Sequence, residues 1–139
     1  MHDLDNLIGQ QFGSLIRREY DWVVTFDPGS SLTIYCLWRL VENRHIRFTS
    51  ADDGHKFGLP KPVDAESEVN LRMAGAHVES VELLDDTLDL TLVLSTGHSF
   101  QVIPDSSGYE AWQFNHGATS VIAVGGGNLS TWIRPPEDG

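Results

Sequence analysis

The chain has 139 residues, of which 40% are hydrophobic and 21% are charged. This length suits one domain, and the composition is too apolar for a disordered chain and too mixed for a coiled coil. Twenty Asp and Glu residues against nine Lys and Arg residues leave a net charge of −11. Such a balance argues against nucleic-acid binding, which relies on clustered Lys and Arg, and it favours encounter with a basic partner.

No apolar stretch is long enough to cross a membrane. The run Leu32–Leu40 is interrupted by Thr33 and Arg39, whereas a spanning helix needs about 20 apolar residues. The first residues, Met1–Asn6, lack the basic and apolar regions of a secretory signal. We therefore expect a cytoplasmic protein with no membrane partner.

The first half of the chain is predicted to begin with a short helix that ends at Gly9, because glycine readily adopts the left-handed conformation that closes a helix. Segments rich in β-branched, leucine and aromatic residues and bounded by turn residues come after it, which is typical of strands. The predicted strands of this half are Ser14–Arg18, Asp21–Phe26, Ser31–Leu40 and His45–Thr49.

Residues 64–74 are predicted to form the main helix, which packs across a sheet. Asp64 is a suitable N-cap, and Glu66 and Glu68 favour the positive first turn. Its apolar face is formed by residues four apart, namely Ala65, Val69 and Met73.

The second half is again predicted to consist of short strands. In Leu88–Leu94 the leucines alternate with other residues, so one face should be buried. Short connections imply hairpins and antiparallel pairing. The predicted strands are Val78–Leu84, Leu88–Leu94, Ser99–Ile103, Glu110–Asn115, Ser120–Val124 and Leu129–Ile133.

The two halves, about 7–59 and 73–133, resemble each other. Leu7–Leu15 aligns with Met73–Val81 at an offset of 66 residues, with glycine, serine and apolar positions in common. The remaining matches are Trp22–Phe26 with Leu88–Leu92 at 66, Pro28–Ile34 with Thr96–Val102 at 68, and Leu37–Leu40 with Ala111–Phe114 at 74. A duplication explains these matches, although β-meanders with glycine turns also resemble one another by composition.

These observations predict an α+β fold. The antiparallel β-rich domain should occupy residues 1–139 and consist of two similar β-meander halves with one main crossing helix.

Residue types that carry chemistry show no recognisable catalytic pattern. Cys36 is the only cysteine, so no internal disulfide can form, and we expect a buried thiol. The six histidines lie in neither a His-Glu-x-x-His motif nor a compact cluster, and no Gly-x-Ser-x-Gly elbow occurs. We predict no catalytic residue, no cofactor and no metal, although ligands from distant strands could still converge. Gly125–Asn128 precedes a predicted strand, which favours a hairpin turn over a phosphate loop.

The densest aromatic segment is Gly108–Phe114. Strand alternation would place Glu110 and Trp112 on one face and Tyr109 and Gln113 on the other. Tyr and Trp are enriched at interfaces, so Tyr109, Glu110 and Trp112 are the candidate partner-binding residues. The alternative is an aromatic core strand in which Trp112 is buried.

The sequence Tyr109-Glu110-Ala111-Trp112, together with the later Gly126-Gly127-x-Leu129-x-x-Trp132, resembles an uncharacterised family of small bacterial proteins, seen especially in actinobacteria. Some proteins that look like this lie in toxin and immunity neighbourhoods. The resemblance therefore implies an immunity-type binder, and it carries over no catalytic residue.

Three functions remain open from the sequence. The first is a non-enzymatic binding protein, in its specific form an immunity protein that neutralises a basic toxin domain. The second is an enzyme or small-ligand protein with a cleft between the halves, for which Glu110, Trp112 and either His98 or His116 are the candidates. The third is a structural homodimer that uses an exposed strand edge.

Overall fold

The computed structural model describes residues 3–135, and this range contains eleven strands, one α-helix and two short 3₁₀ helices. The 3₁₀ helices are Asp3–Leu7 and Ser50–Asp52, and the α-helix, α1, is Ala65–Met73. The strands are β1 (Gln11–Arg17), β2 (Trp22–Asp27), β3 (Ser30–Ile34), β4 (Leu37–Glu42), β5 (His45–Thr49), β6 (Val78–Leu83), β7 (Leu90–Leu94), β8 (Ser99–Ile103), β9 (Trp112–His116), β10 (Thr119–Val124) and β11 (Asn128–Ile133).

These strands form two antiparallel sheets. One has six strands in the order β1-β2-β3-β9-β10-β11, and the other has five in the order β5-β4-β8-β7-β6. The buried faces share one hydrophobic core. In it, the ring centre of Phe12 in the first sheet lies 6.2 Å from that of Phe100 in the second, and the ring centres of Trp22 and Trp38 are 5.1 Å apart. The predicted α+β, antiparallel β-rich fold with one main helix is confirmed.

Each half of the chain contributes strands to both sheets. The first half places β1–β3 in the six-stranded sheet and β4–β5 in the other, whereas the second half places β6–β8 in the five-stranded sheet and β9–β11 in the six-stranded one. If β1–β5 are exchanged with β6–β10, the strand order of one sheet becomes the order of the other sheet read in reverse. Strand β11 is the extra strand, with no counterpart in the first half. The halves are therefore joined by the hydrogen-bonded pairs β3–β9 and β4–β8.

The segment Ser31–Leu40, predicted as one strand, is instead two strands in different sheets. The chain leaves β3 at Ile34 and enters β4 at Leu37. Between them, the Tyr35 N–H donates to the carbonyl of Ala111 at 2.8 Å. Both strands bury apolar residues in the same core. The apolar run is therefore continuous in the sequence, and it does not show where the chain crosses from one sheet to the other.

The strand register corrects one of the repeat alignments. Leu15 pairs with Val24 in the first half, and Val81 pairs with Leu92 in the second, so β2 and β7 correspond at an offset of 68 rather than 66. The cause is the loop between β6 and β7. A hydrogen bond from Leu84 N–H to the Asp89 carbonyl closes this loop. The β1–β2 loop is closed by the bond from Arg18 N–H to the Asp21 carbonyl, and it is two residues shorter.

Helix α1 agrees closely with the sequence prediction. Asp64 is its N-cap and accepts a hydrogen bond from Ser67 N–H, and this bond lowers the pKa of the Asp64 carboxyl group. The predicted apolar face is buried, as Ala65, Val69 and Met73 all lie in the core. The helix packs mainly against β1 and more lightly against β5.

Polar side chains of α1 cover the outer edge of β1. Asn70 accepts a hydrogen bond from Leu15 N–H at 2.7 Å and donates one to the Leu15 carbonyl at 2.9 Å. Glu66 accepts from Arg17 N–H at 2.8 Å. The helix thus satisfies the backbone groups of a strand edge that would otherwise be free to pair with another chain.

The glycine run lies in the turn between β10 and β11. A Cβ at Gly127 would meet the carbonyl oxygen of Asp86 at 2.2 Å, and one at Gly125 would meet the backbone of Gly108 at 2.5 Å. These glycines are therefore needed for close backbone packing, and they hold the turn against the β6–β7 and β8–β9 loops.

Candidate partner-binding surface

The structure separates the three predicted binding residues. Tyr109 is 82% exposed and Glu110 is exposed, but Trp112 is fully buried and its indole N–H donates to the carbonyl of Leu88 at 3.0 Å. Trp112 is therefore a core residue and cannot contact a partner in this fold. Because β9 begins only at Trp112, Glu110 lies in the preceding loop and does not obey the strand alternation that was assumed for it.

Tyr109 and Glu110 belong to a larger surface at one end of the sheets. They line a hollow of about 330 Å³ together with Tyr35 and Asp105. Tyr35 also borders a second hollow of about 510 Å³, which includes Tyr20. We call these two adjoining hollows the tyrosine surface, since it holds all three tyrosines of the chain.

The tyrosines are exposed and are placed by ordered turns. Tyr20 is 85% exposed in the β1–β2 turn, which Arg18 and Asp21 fasten through two side-chain hydrogen bonds of 2.5 and 2.7 Å. Tyr35 is 43% exposed at the crossing from β3 to β4. The Ser106 hydroxyl accepts the N–H of Tyr109 at 2.9 Å and so fixes the loop that carries it.

The tyrosine surface is acidic. Its two arginines are engaged by acids of the same surface: Arg17 lies 2.5 Å from Asp53 and Arg18 lies 2.5 Å from Asp21. Three further acids, which form no ion pair with another described residue, are Glu19, Asp105 and Glu110. The surface therefore keeps an excess of negative charge beside its aromatic rings.

The acids influence Tyr35 directly. Burial raises the pKa of the Tyr35 hydroxyl, and the negative charges of Glu110 and Asp21 raise it further. The phenol is protonated at neutral pH, as in any tyrosine, and it can donate a hydrogen bond to a partner. Phenol donors, exposed aromatic faces and free carboxylates suit a basic protein surface, since Arg and Lys bind to both carboxylates and aromatic rings.

The residues considered for a catalytic cleft are not assembled into one. His98 bonds to Glu42 and Thr96 at 2.8 Å each, and His116 bonds to Ser30 at 2.7 Å. Glu110 faces the tyrosine surface. Within residues 3–135, no group of three or more His, Cys, Asp or Glu side chains is arranged to hold a metal ion.

Cys36 borders the second hollow but is itself buried. Burial raises the pKa of its thiol to about 12. A thiol that stays protonated is a poor nucleophile, because the thiolate is the reactive form. The expectation of a buried thiol is confirmed.

Sequence reasoning missed Tyr20, Tyr35 and Asp105. A usable signal was present: Tyr20 lies between Glu19 and Asp21, and Tyr109 precedes Glu110, so two tyrosines stand beside acids in turn regions. Tyr35 gave no such signal, because it lay inside what looked like one long strand.

Comparison with known proteins gives a family but no described activity. The family described as "Family of unknown function (DUF6188)" matches residues 14–133, and the chain belongs to it. No curated protein and no solved structure gives a significant match. None of the helices described is long and apolar enough to cross a membrane.

Proposed function

We propose that this member of a family of unknown function is a non-enzymatic binding protein that recognises a basic protein partner through the tyrosine surface. The proposal rests on one observation: all three tyrosines are exposed, are placed by ordered turns and lie on one surface. Five acids and two arginines surround them, and each arginine forms an ion pair with one of the acids. Aromatic side chains supply contact area at interfaces, and the surrounding charge selects the partner.

The charge of the whole molecule supports the same partner class. A net charge of −11 speeds encounter with a cationic protein and repels nucleic acid. The specific form of the proposal is an immunity protein of a bacterial cell that binds and blocks a basic toxin domain in the cytoplasm. This form rests on the sequence resemblance and on the acidic tyrosine surface.

The experiment begins with the purified products of the genes on either side of the one that encodes this chain. Each is titrated into the wild-type protein by calorimetry. We expect one basic product to bind, and its affinity to fall steeply as salt is raised, because screening weakens the attraction between the two charged surfaces. Protection from growth arrest on co-expression tests the immunity form.

Surface variants then locate the binding site. Tyr109→Ala should weaken binding about 30-fold or more if the ring is a hot spot, and Glu110→Lys should weaken it by charge reversal. The matched control is Glu79→Lys, which makes the same charge change at an exposed residue of β6, outside the tyrosine surface. Equal binding by Tyr109→Ala, Glu110→Lys and the control would refute this site.

The enzyme or small-ligand alternative requires a cleft between the halves. The structure joins the halves there by strand pairs, and the side chains of His98, His116 and Trp112 have separate partners. The homodimer alternative concerns a different part of the molecule, the edge of β11.

A further inference from the structure

The outermost strand of the six-stranded sheet, β11, is exposed along its whole length. Its apolar side chains Leu129, Trp132 and Ile133 are 44%, 49% and 70% exposed. The hairpin that contains this strand, residues 117–133, carries no charged residue, although the chain as a whole has a net charge of −11.

The hydrogen-bond pattern shows which backbone groups of β11 are free to pair. Arg134 N–H donates to the carbonyl of Ala118, and the β10–β11 register continues without a bulge from Thr119 opposite Ile133. Bonded pairs alternate in an antiparallel ladder. The N–H and C=O groups of Leu129, Thr131 and Ile133 therefore point outward from the sheet.

The other sheet edges are protected. The β1 edge is covered by Asn70 and Glu66 of α1. Strand β5 carries Arg47 and touches α1. Strand β6 carries Glu79 and Glu82, and its first residue bonds to the chain just before β1. Charged residues and covering elements are the usual means of preventing edge pairing. Strand β11 carries no charged residue, and no element among residues 3–135 covers it.

We propose that two copies of this chain associate through β11, pairing antiparallel about a two-fold axis at Thr131. In this register Thr131 faces Thr131 of the second copy, and Leu129 faces Ile133. The three outward residues of each copy then exchange about six hydrogen bonds, and the two sheets become one continuous sheet.

A second copy fits this edge better than another partner does, because the contact is complementary to itself. The apolar Leu129 of one copy meets the apolar Ile133 of the other twice. Two chains of charge −11 repel over most of their surfaces, but the uncharged hairpin lets them approach with little repulsion. In this register the exposed Arg134 lies opposite Asn128 of the other copy, so the contact brings no two like charges together at its ends.

Analytical ultracentrifugation of the full chain over roughly a hundredfold range of concentration tests the proposal. The wild type should dimerise. Thr131→Pro removes an outward N–H and should yield monomers at concentrations where the wild type is dimeric, while its matched control Thr131→Ala stays dimeric. Leu129→Lys should also give monomers, and Leu71→Lys, which alters an exposed leucine of α1, should not.

Circular dichroism checks that each variant is folded, and Leu129→Lys keeps the test valid if Thr131→Pro does not fold. Tyr109→Ala should leave dimerisation unchanged, so that failure of the dimer and failure of the tyrosine surface can be told apart. A wild type that is monomeric throughout, or a dimer insensitive to Thr131→Pro and Leu129→Lys, would overturn the proposal.

Discussion

Trp38 and Trp112 occupy corresponding places in the two halves but differ in one hydrogen bond. Both are fully buried, on β4 and β9, and they pair with the corresponding residues Val102 and Ile34. The Trp112 indole N–H donates to the Leu88 carbonyl, whereas the Trp38 indole N–H is buried without a hydrogen-bond partner among the described residues. One site therefore contributes a hydrogen bond that the other lacks.

This difference predicts unequal effects of the same substitution. Trp112→Phe breaks a buried hydrogen bond, while Trp38→Phe removes an unpaired N–H, so Trp112→Phe should be the more destabilising by about 1–2 kcal/mol. Trp112→Ala should cost about 3–5 kcal/mol, as expected for a large core residue. Urea denaturation of the three variants measures the free energy of unfolding. Equal losses for the two Phe variants would contradict the assignment.

The pKa of Glu42 depends on two neighbouring side chains. The hydrogen bond with His98, and then the charge of Arg72, lower the pKa of Glu42 below its ordinary value of 4.5. The folded state then binds this proton less readily than the unfolded state does. The stabilisation is fully present above about pH 4.5 and is lost as pH falls through the lower pKa of the folded state.

Glu42→Gln should therefore flatten the fall in stability with pH below about 4.5. The measurement is the free energy of unfolding from denaturant titrations at several acidic pH values. Glu79→Gln, which removes an exposed carboxylate of β6, is the control. A Glu42→Gln curve parallel to the wild type over this window would show that the His98 and Arg72 contacts do not stabilise the charged form.

At the scale of elements, the two halves begin alike and end differently. The 3₁₀ helix Asp3–Leu7 comes before β1 and α1 comes before β6, and after β5 the chain forms the 3₁₀ helix Ser50–Asp52. After β10 it forms β11, which extends the sheet and leaves a new edge free. This divergence accounts for the sixth strand of one sheet.

Asn70 is the main polar link between α1 and β1. Asn70→Ala removes both hydrogen bonds to Leu15 and leaves the backbone N–H and C=O groups of Leu15 without these partners. We therefore expect the free energy of unfolding to fall by about 1–3 kcal/mol. Leu71→Ala changes the neighbouring exposed residue and should be nearly neutral. Similar stabilities for the two variants would count against the proposed role of Asn70 at this edge.

The sequence predicted elements well where local signals were strong. Asp64 and the Ala65, Val69 and Met73 spacing defined α1, and the alternating leucines of β7 are buried as expected. It failed at Tyr35, because a crossing between sheets depends on pairing with distant Ala111, which no local pattern encodes. The sequence also predicted a strand that begins at Glu110, whereas β9 begins two residues later, at Trp112. A boundary error of two residues was enough to place Glu110 on a strand instead of in the loop.

At the scale of the whole molecule, the pairing pattern favours a duplication. The bulges lie at matching places, between Phe12 and Ser14 in β1 and between Val78 and Ser80 in β6. Phe12 N–H donates to the Ala76 carbonyl and Val78 N–H donates to the Gln10 carbonyl, so these two bonds are related by the same exchange of halves. The duplication itself stays a prediction.

The candidate site was only partly predictable at this scale. Tyr109 and Glu110 stood out as an aromatic and acidic pair, but the tyrosine surface is assembled from the β1–β2, β3–β4 and β8–β9 connections. Their proximity results from the exchange of strands between sheets, which the sequence did not show. Trp112 was misleading as a binding residue because an aromatic residue on a strand suits a core as well as an interface.

The most direct test of recognition through the tyrosine surface is the affinity of the basic neighbouring gene product for the wild type and for Tyr109→Ala, measured by calorimetry at low and moderate salt. We expect the wild type to bind, Tyr109→Ala to weaken binding about 30-fold or more, and binding to weaken as salt is raised. A partner that binds both proteins equally, with no dependence on salt, would contradict recognition by an acidic tyrosine surface.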